Sequence, residues 1–144
     1  MQARRQVHAS CVSRDGDGVL LIGPSGSGKS DLALRLLGRG FTLVADDRVD
    51  IRDGVAAPPA ALAGLLEVRG LGIVRLPYAA SVRLALVAEL GPAAERLPAP
   101  GRHAGLGLPL IRLDPAAASA PERVVLALDC ALGRVGQVAG AFAA

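Results

Sequence analysis

Short apolar runs separated by turn residues dominate the first part of the chain. Residues 7–13 alternate loosely between apolar and polar side chains and predict a strand, and residues 19–22 are uniformly apolar and predict a second strand. Residues 14–18, between them, contain two Asp-Gly pairs, which adopt positive φ at little cost and favour a hairpin turn. A hairpin is therefore expected before the glycine-rich segment that follows.

The rest of the pattern predicts two helices and several strands. Residues 29–37 place apolar side chains at the spacing of one helix face. Ser119 with Glu122 three residues later fits a capping box and predicts a second helix over residues 119–132. Residues 55–63 are expected to be irregular with one helical turn, and residues 91–107, rich in Pro, Gly and Ala, to form a loop. Further apolar runs predict strands at residues 41–45, 49–52, 65–68, 73–76, 82–90 and 108–113. An Asp-Gly turn at residues 53–54 is expected to close the strand of residues 49–52.

The chain is long enough to bury one hydrophobic core. It has 144 residues, of which 51% are hydrophobic, so disorder is not expected. We find no internal repeat and no dividing linker, which predicts a single domain over residues 1–144 with its core at about residues 7–132. Cys11 and Cys130 lie far apart in apolar surroundings, which is typical of reduced core residues.

Charge and aromatic content argue against a nucleic-acid partner. The net charge is +3, but the arginines are scattered, whereas a nucleic-acid groove needs a basic cluster on one element. Aromatic residues, on which single-stranded bases would stack, are 2% of the chain. The first residues do not resemble a signal peptide, and no apolar run reaches the ~20 residues that cross a bilayer. The expectation is a soluble cytoplasmic protein that binds neither nucleic acid nor membranes.

The most informative stretch is a glycine-rich loop that fits the phosphate-binding pattern G-x-x-x-x-G-K-[ST]. Its glycines let backbone N–H groups point inward, and the next helix presents its positive N-terminal end to the same anion. Lys29, the only lysine, is expected to reach the β- and γ-phosphates, and the Ser30 hydroxyl to bind Mg²⁺. The predicted phosphate-binding residues are Gly23, Pro24, Ser25, Gly26, Ser27, Gly28, Lys29 and Ser30.

Two acids at a strand end indicate what chemistry accompanies phosphate binding. Asp46 and Asp47 follow the apolar run of residues 41–45. Neighbouring residues of an extended chain point to opposite faces, so one carboxylate can face a metal and the other an incoming nucleophile. A kinase needs both functions. The alternative is an Asp-Asp turn into the next strand.

A second acidic position lies in the glycine-containing stretch of residues 66–72. Glu67 and Arg69 share one face of an extended chain, where they could serve a metal and a phosphate respectively. Gly70 and Gly72 permit a tight turn with inward N–H groups. On spacing alone, an edge strand with a surface ion pair explains this stretch equally well.

The missing residue types narrow the class of nucleotide-binding protein. A GTPase switch needs an Asn-Lys-x-Asp motif, and the chain contains no asparagine and no second lysine. A small-molecule kinase usually carries an arginine-rich lid, and the predicted loop offers only Arg96 and Arg102. A non-catalytic ATP-binding signalling module is the third alternative, against which the acid pair and Glu67 argue.

Five stretches of the chain together resemble one protein family. They are His8-Ala9-Ser10, GPSGSGKS (23–30), LVADDRVDI (43–51), LLEVRGLGIV (65–74) and LPLIRLDP (108–115). The family is HPr kinase/phosphorylase, bacterial enzymes that phosphorylate a serine of the phosphocarrier protein HPr. The resemblance covers roughly residues 7–128 and is to the catalytic domain. It implies an α/β fold, a P-loop-containing mixed β-sheet with flanking helices, of the HPr kinase and PEP carboxykinase-like architecture.

The resemblance also implies a role for individual residues. Lys29 matches the phosphate-binding lysine, and Ser30 and Glu67 match the Mg²⁺ ligands. Asp47 and Arg69 are added to the expected nucleotide site from the acid pair and the glycine-containing stretch themselves.

The remaining catalytic positions follow from the same resemblance. Asp46 matches the residue that takes the proton from the target serine and returns it in the reverse reaction. His8 matches a catalytic histidine, although a lone histidine on a strand is by itself more often structural. Arg96 looks like the active-site arginine of the family. Arg112 is the one arginine left where the family's dephosphorylation loop has a Pro-Val-Arg-Pro-Gly-Arg pattern.

The implied activity is ATP- and Mg²⁺-dependent phosphorylation of an HPr-like carrier, with or without the reverse reaction. The family assembles as a hexamer, in which the helix of residues 119–132 would help to hold the target. The chain looks like a short form without the N-terminal domain of longer members.

Overall fold

Strands outnumber helices in the described part of the chain. The computed structural model describes residues 4–92 and 95–143. Its helices are α1 (Lys29–Leu37) and α2 (Ala120–Ala131), with a 3-10 turn at Ala60–Leu62. Its strands are β1 (Arg5–Val7), β2 (Ser10–Arg14), β3 (Asp17–Ile22), β4 (Thr42–Ala45), β5 (Val49–Arg52), β6 (Val55–Ala57), β7 (Leu65–Val68), β8 (Gly72–Arg75), β9 (Val82–Leu90) and β10 (Leu110–Leu113).

One mixed sheet contains eight of these strands. Its order is β1-β5-β6-β9-β3-β2-β4, with β10 paired to β9 outside that path. β3 and β9 run parallel, as do β9 and β10, and the other pairs are antiparallel. β7 and β8 form a separate antiparallel hairpin. The predicted mixed sheet with flanking helices is confirmed.

The two faces of the central strands bury two apolar clusters. On β3, Val19 and Leu21 pack into a cluster shared with α1 and α2, whereas Leu20 packs into the cluster on the opposite face. The period of two along a strand produces this division. Because both faces are covered, successive residues are buried in these strands, at 18–21 of β3 and 86–88 of β9.

Both Asp-Gly hairpin turns form as predicted. Asp15 and Gly16 have φ values of 52° and 83° between β2 and β3, and Asp53 and Gly54 have φ values of 51° and 76° between β5 and β6. Positive φ at both central residues is the geometry of a type I′ turn, which matches the right-handed strand twist.

Two strand predictions need correction. The strand expected over residues 7–13 is two strands, because β1 pairs with β5 while β2 pairs with β3 and β4. The chain leaves one pairing and enters the other at His8 and Ala9. The segment expected to be irregular contains β6, which pairs with β5 and β9. Its Ala- and Pro-rich sequence carries little strand signal, and the long-range pairing supplies the strand.

The predicted capping box at α2 does not form. Ser119 is the N-cap but makes no side-chain capping hydrogen bond. Its Oγ instead accepts a hydrogen bond of 2.9 Å from Nε of Arg123, and Glu122 pairs with Arg39. Two arginines occupy the side chains that the motif would have used.

The segment after β9 is largely without regular structure, as predicted. Its residues 93 and 94 lie outside the described part of the chain. Arg102 and Pro109 form an isolated bridge just before β10. Within the described ranges, no helix has the length and apolarity needed to span a bilayer.

Candidate nucleotide and phosphoryl-transfer site

The glycine loop of residues 23–28 connects the end of β3 to the start of α1. Gly26 and Gly28 have φ values of 80° and 98°, which L side chains rarely adopt. A Cβ on Gly23 would lie 2.7 Å from Oγ of Ser27 and 3.1 Å from the carbonyl oxygen of Leu90. Oγ of Ser27 is buried and has no hydrogen-bond partner among the described residues. The backbone is therefore shaped as a cradle in front of the helix N-terminus, which suits a phosphate.

Lys29 is folded back onto this loop. Its Nζ donates hydrogen bonds to the carbonyl oxygens of Gly23 (2.8 Å) and Pro24 (3.0 Å). Burial lowers the pKa of Lys29, and the negative charges of Asp46 and Asp47 act in the opposite direction. The ammonium group thus lies beside the loop and is bonded to two neutral acceptors. It can exchange these acceptors for the oxygens of a bound anion.

Asp46 lies at the centre of the hydrogen-bond network. It follows β4 and is 5% exposed. Its Oδ1 accepts hydrogen bonds of 2.7 Å from the hydroxyls of Ser30 and Ser10. Its Oδ2 lies 3.5 Å from the backbone N of Glu67, the long limit of a hydrogen bond. The carboxylate therefore has one firmly held oxygen and one weakly engaged oxygen.

Asp47 faces a different environment from Asp46, as expected for neighbouring residues at a strand end. It is in a left-handed conformation with φ 68°, and its side chain is 64% exposed. Its Oδ1 lies 3.0 Å from Nε2 of His8, and its carbonyl oxygen accepts a hydrogen bond from the N–H of Ala9. The break between β1 and β2 thus brings His8 to the acid pair.

The β7–β8 hairpin forms a further wall of the site. Leu66 of β7 is buried, and Glu67 next to it is exposed. Glu67 and Arg69 both line the cavity beside the glycine loop. This cavity has a volume of about 470 Å³, and its other lining residues include His8, Ser10, Ser25, Gly26, Gly28, Lys29, Ser30 and Asp47.

These residues fit a magnesium nucleotide. The described residues contain no group of three or more His, Cys, Asp or Glu able to hold a metal by themselves. Mg²⁺ needs no such cage, since it keeps several waters and binds through one or two carboxylates plus substrate phosphates. The Ser30 hydroxyl and the Glu67 carboxylate supply oxygen donors of that kind on two walls of one cavity.

Arg96 and Arg112 lie elsewhere. Arg96 is exposed in the segment after β9. Arg112, on β10, has its Nε 3.6 Å from Oε1 of Glu89 and lines a second cavity of about 820 Å³. Neither is among the described residues that line the first cavity. Their predicted catalytic roles therefore stay predictions.

A family model described as the HPr Serine kinase C-terminal domain matches residues 1–80. The chain belongs to this family. The match spans the glycine loop, the acid pair and the β7–β8 hairpin, and it confirms the resemblance found in the sequence.

Named relatives of the family share this part of the chain. The HPr kinase/phosphorylase of Lacticaseibacillus casei (strain BL23) is 50% identical over 76 residues, 49% of this chain and 24% of the relative. The HPr kinase/phosphorylase of Clostridium tetani (strain Massachusetts / E88) is 46% identical over 76 residues, 50% of this chain and 25% of the relative. The aligned part is thus about a quarter of the length of these curated relatives.

A solved structure has the same fold. The Hpr(Ser) kinase/phosphatase from Coxiella burnetii superposes with a TM-score of 0.70 at 24% sequence identity, covering 86% of this chain and 87% of that chain. The likeness thus extends beyond residues 1–80 and includes most of the chain, which confirms the predicted architecture of the family.

Ser10 is a residue of this site to which the sequence assigns no role of its own beyond its place in the His8-Ala9-Ser10 stretch. A serine in a run of buried residues is a weak signal, because most such hydroxyls bond to nearby backbone. Its contact with Asp46 depends on the pairing of β2 with β4, which brings Cys11 opposite Ala45.

Proposed function

We propose that this protein transfers the γ-phosphoryl group of ATP to a serine of an HPr-like phosphocarrier protein, with Mg²⁺ as cofactor. The observation that carries the proposal is the position of Asp46. Its buried carboxylate is bonded to Ser30, the residue after the phosphate-loop lysine, at 2.7 Å. A carboxylate so close to the donor site can serve the acceptor hydroxyl. Family membership supports the same activity.

The nucleotide would be held mainly by backbone and by Lys29. The N–H groups of the glycine loop and the N-terminal end of α1 attract the phosphates, and Lys29 would exchange its two carbonyl partners for phosphate oxygens. Ser30 and Glu67 would hold Mg²⁺, which neutralises charge on the phosphate oxygens when bound. Arg69, on the wall formed by the β7–β8 hairpin, adds positive charge to the same cavity.

In the transfer step, the acceptor serine oxygen forms a bond to the γ-phosphorus. The bond between that phosphorus and the bridging oxygen of ADP breaks, and Asp46 accepts the serine proton. Proton transfer to a positioned carboxylate is worth roughly 10²–10⁴-fold in rate. His8 lies beside Asp47 at the rim and would orient this second carboxylate.

Further expectations rest on the family alone. Dephosphorylation, catalytic roles for Arg96 and Arg112, hexamer formation and a cytoplasmic location are proposals of this kind. Incubating the phosphorylated carrier with inorganic phosphate tests the reverse reaction, and light scattering during gel filtration tests the oligomer.

The test of the main proposal is phosphate transfer to the host's own HPr-like protein, with ATP and Mg²⁺, read by mass spectrometry. The wild-type chain should add one phosphate to a serine. Asp46→Asn should abolish transfer and keep ATP binding. Asp50→Asn is the matched control, since Asp50 on β5 is bonded to Gln6 on β1, away from the cavity.

The outcomes separate the alternatives. Transfer by Asp46→Asn at the wild-type rate would remove Asp46 from the proposed role. Transfer to a metabolite and not to the carrier would indicate a small-molecule kinase. Tight ATP binding without turnover on any acceptor would indicate a non-catalytic module.

A further inference from the structure

Two serine hydroxyls donate to the same oxygen of Asp46. Ser10 and Ser30 each lie 2.7 Å from Oδ1. Ser30 has a place in the proposed metal site, but Ser10 has no role in the proposed chemistry. Ser10 is 0% exposed and Asp46 is 5% exposed, so the bond between them is buried next to the cavity that Ser10 lines. A buried hydroxyl directed at a buried carboxylate needs an explanation.

We propose that Ser10 is a positioning residue for Asp46 that orients the carboxylate for the phosphoryl-transfer step. With Oδ1 held by two hydroxyls, Oδ2 is the oxygen left to accept the proton of the acceptor serine. Among the described residues, its one hydrogen-bond partner is the N–H of Glu67, with the nitrogen at 3.5 Å. The inference rests on the proposed function, because it gives the orientation a purpose.

The strand pairing explains why Ser10 acts on Asp46 while His8 acts on Asp47. β2 runs antiparallel to β4, with Cys11 opposite Ala45. Continued past the ends of the two strands, this register puts Ser10 opposite Asp46 and Ala9 opposite Asp47, and the ring of His8, the next residue, reaches the Asp47 carboxylate. The N–H of Ala9, between them, bonds to the carbonyl oxygen of Asp47. One three-residue segment thus holds both carboxylates.

Ser30 alone would be a poor anchor for this carboxylate. In the proposed complex its hydroxyl oxygen would also hold Mg²⁺, so its position would depend on whether the nucleotide is bound. The Ser10 hydroxyl is carried by β2, a buried strand that pairs with β3 on one side and with β4 on the other. A carboxylate held from this strand keeps its orientation before the nucleotide binds and after it leaves, which is the advantage of a preorganised group.

The test compares three substitutions of Ser10. Ser10→Ala removes the donor, and Ser10→Cys keeps the approximate volume but leaves a weak donor. Both should lower kcat roughly tenfold, as expected for loss of a hydrogen bond to a charged group, while KM for ATP stays within about twofold of wild type. Ser10→Thr keeps a hydroxyl on a β-branched residue suited to a strand and should restore most of kcat.

Ser13→Ala is the matched control. Ser13 lies on the same strand, is 3% exposed and pairs with Gly18 and Thr42 at the turn end. Its substitution should leave kcat and KM unchanged. A wild-type kcat for Ser10→Ala or Ser10→Cys would overturn the inference. The inference would also be overturned if lower ATP affinity and lower thermal stability accounted for the whole loss of transfer activity, because a merely structural residue would give that result.

A second measurement is independent of the phosphocarrier. A double-mutant cycle with Ser10→Ala and Asp46→Ala, read by urea unfolding without nucleotide, should show that the effects on the unfolding equilibrium constant couple by about tenfold. Absence of coupling overturns the inference whether or not the chain is a kinase. The double-mutant cycle also takes the place of the Ser10→Thr measurement if that variant does not fold. Coupling in a chain that transfers no phosphate would instead refute the proposed function and leave a structural bond only.

Discussion

Lys29 is buried, and the hydrogen bonds that its ammonium group makes to the described residues go to backbone carbonyl groups. Its Nζ is held by Gly23 and Pro24, and burial lowers its pKa. The carboxylates of Asp46 and Asp47 offset part of the cost of burying this charge, and a bound anion would offset more of it. The side chain is therefore suited to ligand binding more than to stabilising the free protein.

Lys29→Met tests this at the residue scale. The variant keeps the length of the apolar stem and removes the charge, so nucleotide affinity should fall by roughly ten- to hundredfold, the worth of one or two charge-assisted hydrogen bonds. Thermal stability should be unchanged or higher, because a buried charge is removed. Titration with a fluorescent ATP analogue and a melting curve measure the two effects. Arg52→Met, at an exposed residue of β5, is the control, and wild-type affinity of Lys29→Met would contradict the expectation.

Cys11 makes a second residue-scale prediction. Burial raises the pKa of its thiol far above the ordinary range, so a thiol reagent should not modify it in the folded protein. In a Cys130→Ser variant, where only Cys11 is left, labelling should proceed at the rate of unfolding. Fast labelling in the absence of denaturant would contradict the burial.

The same thiol links stability to pH. The pKa of the thiol in the folded state lies above the unfolded value of about 8.5. The contribution of Cys11 to the free energy of unfolding is therefore complete below that pH and decreases as the pH rises above it. Cys11→Val, which cannot titrate, should lose this part of the alkaline decrease in the free energy of unfolding.

At the scale of elements, the β7–β8 hairpin depends on contacts at its base. It pairs with no strand of the large sheet among the described residues. The N–H of Leu76 donates to the carbonyl oxygen of Gly64 at 2.7 Å, and Tyr78 bridges to Leu43 of β4. The hairpin carries Glu67 and Arg69, so its base also fixes one wall of the site.

Two glycines in this element separate backbone strain from steric overlap. Both Gly64 and Gly70 have positive φ, of 77° and 82°. A Cβ on Gly64 would lie 2.9 Å from the carbonyl oxygen of Leu76 and 3.0 Å from Tyr78, whereas a Cβ on Gly70 would meet nothing within 4 Å. Gly70→Ala should cost about 1–2 kcal/mol from strain alone. Gly64→Ala should cost about 1–3 kcal/mol more from overlap.

Urea unfolding of the two variants measures this difference. Equal losses in the free energy of unfolding would show that the hairpin base accommodates the extra methyl group of Gly64→Ala at no further cost in stability. A loss of transfer activity in Gly64→Ala larger than its loss of stability explains would show that the base also positions Glu67 and Arg69.

The elements differ in how well sequence predicts them. The positions of the Asp-Gly turns and the ends of α1 match the prediction, because each of these features has a local cause. The turns depend on residues that adopt positive φ, and the helix depends on the spacing of its apolar residues. β6 and the division of the first strand could not be predicted, since both follow from partners far away in sequence. The capping box failed because Arg39 and Arg123 compete for its side chains.

Across the whole molecule, ion pairs attach α2 to the rest of the fold. Arg14 of β2 pairs with Asp129 and lies over the ring of Phe41 at 5.6 Å. Its guanidinium and the Asp129 carboxylate are each only about one-fifth exposed. Such a partly buried, hydrogen-bonded pair stabilises more than an exposed pair does.

Asp129→Asn should therefore lower the free energy of unfolding by about 1–2 kcal/mol. Asp17→Asn is the matched control, because Asp17 pairs with Arg134 only at 4.0 Å and Arg134 is largely exposed. That control should change stability by less than about 0.5 kcal/mol. Thermal and urea unfolding measure both, and an equal effect of the two substitutions would mean that burial of the Arg14 pair adds nothing.

The sequence by itself determined the phosphate loop, the hairpin turns and the family. Each depends on backbone chemistry or on residue types within one short stretch, so the neighbours along the chain are sufficient cause. Only the tertiary structure decided which side chains meet. The pairing of β2 with β4 brings Ser10 to Asp46 and His8 to Asp47. The pairing of β10 with β9 directs Arg112 to a second cavity. Strand partners are chosen by burial and register over long separations, and no local pattern records that choice.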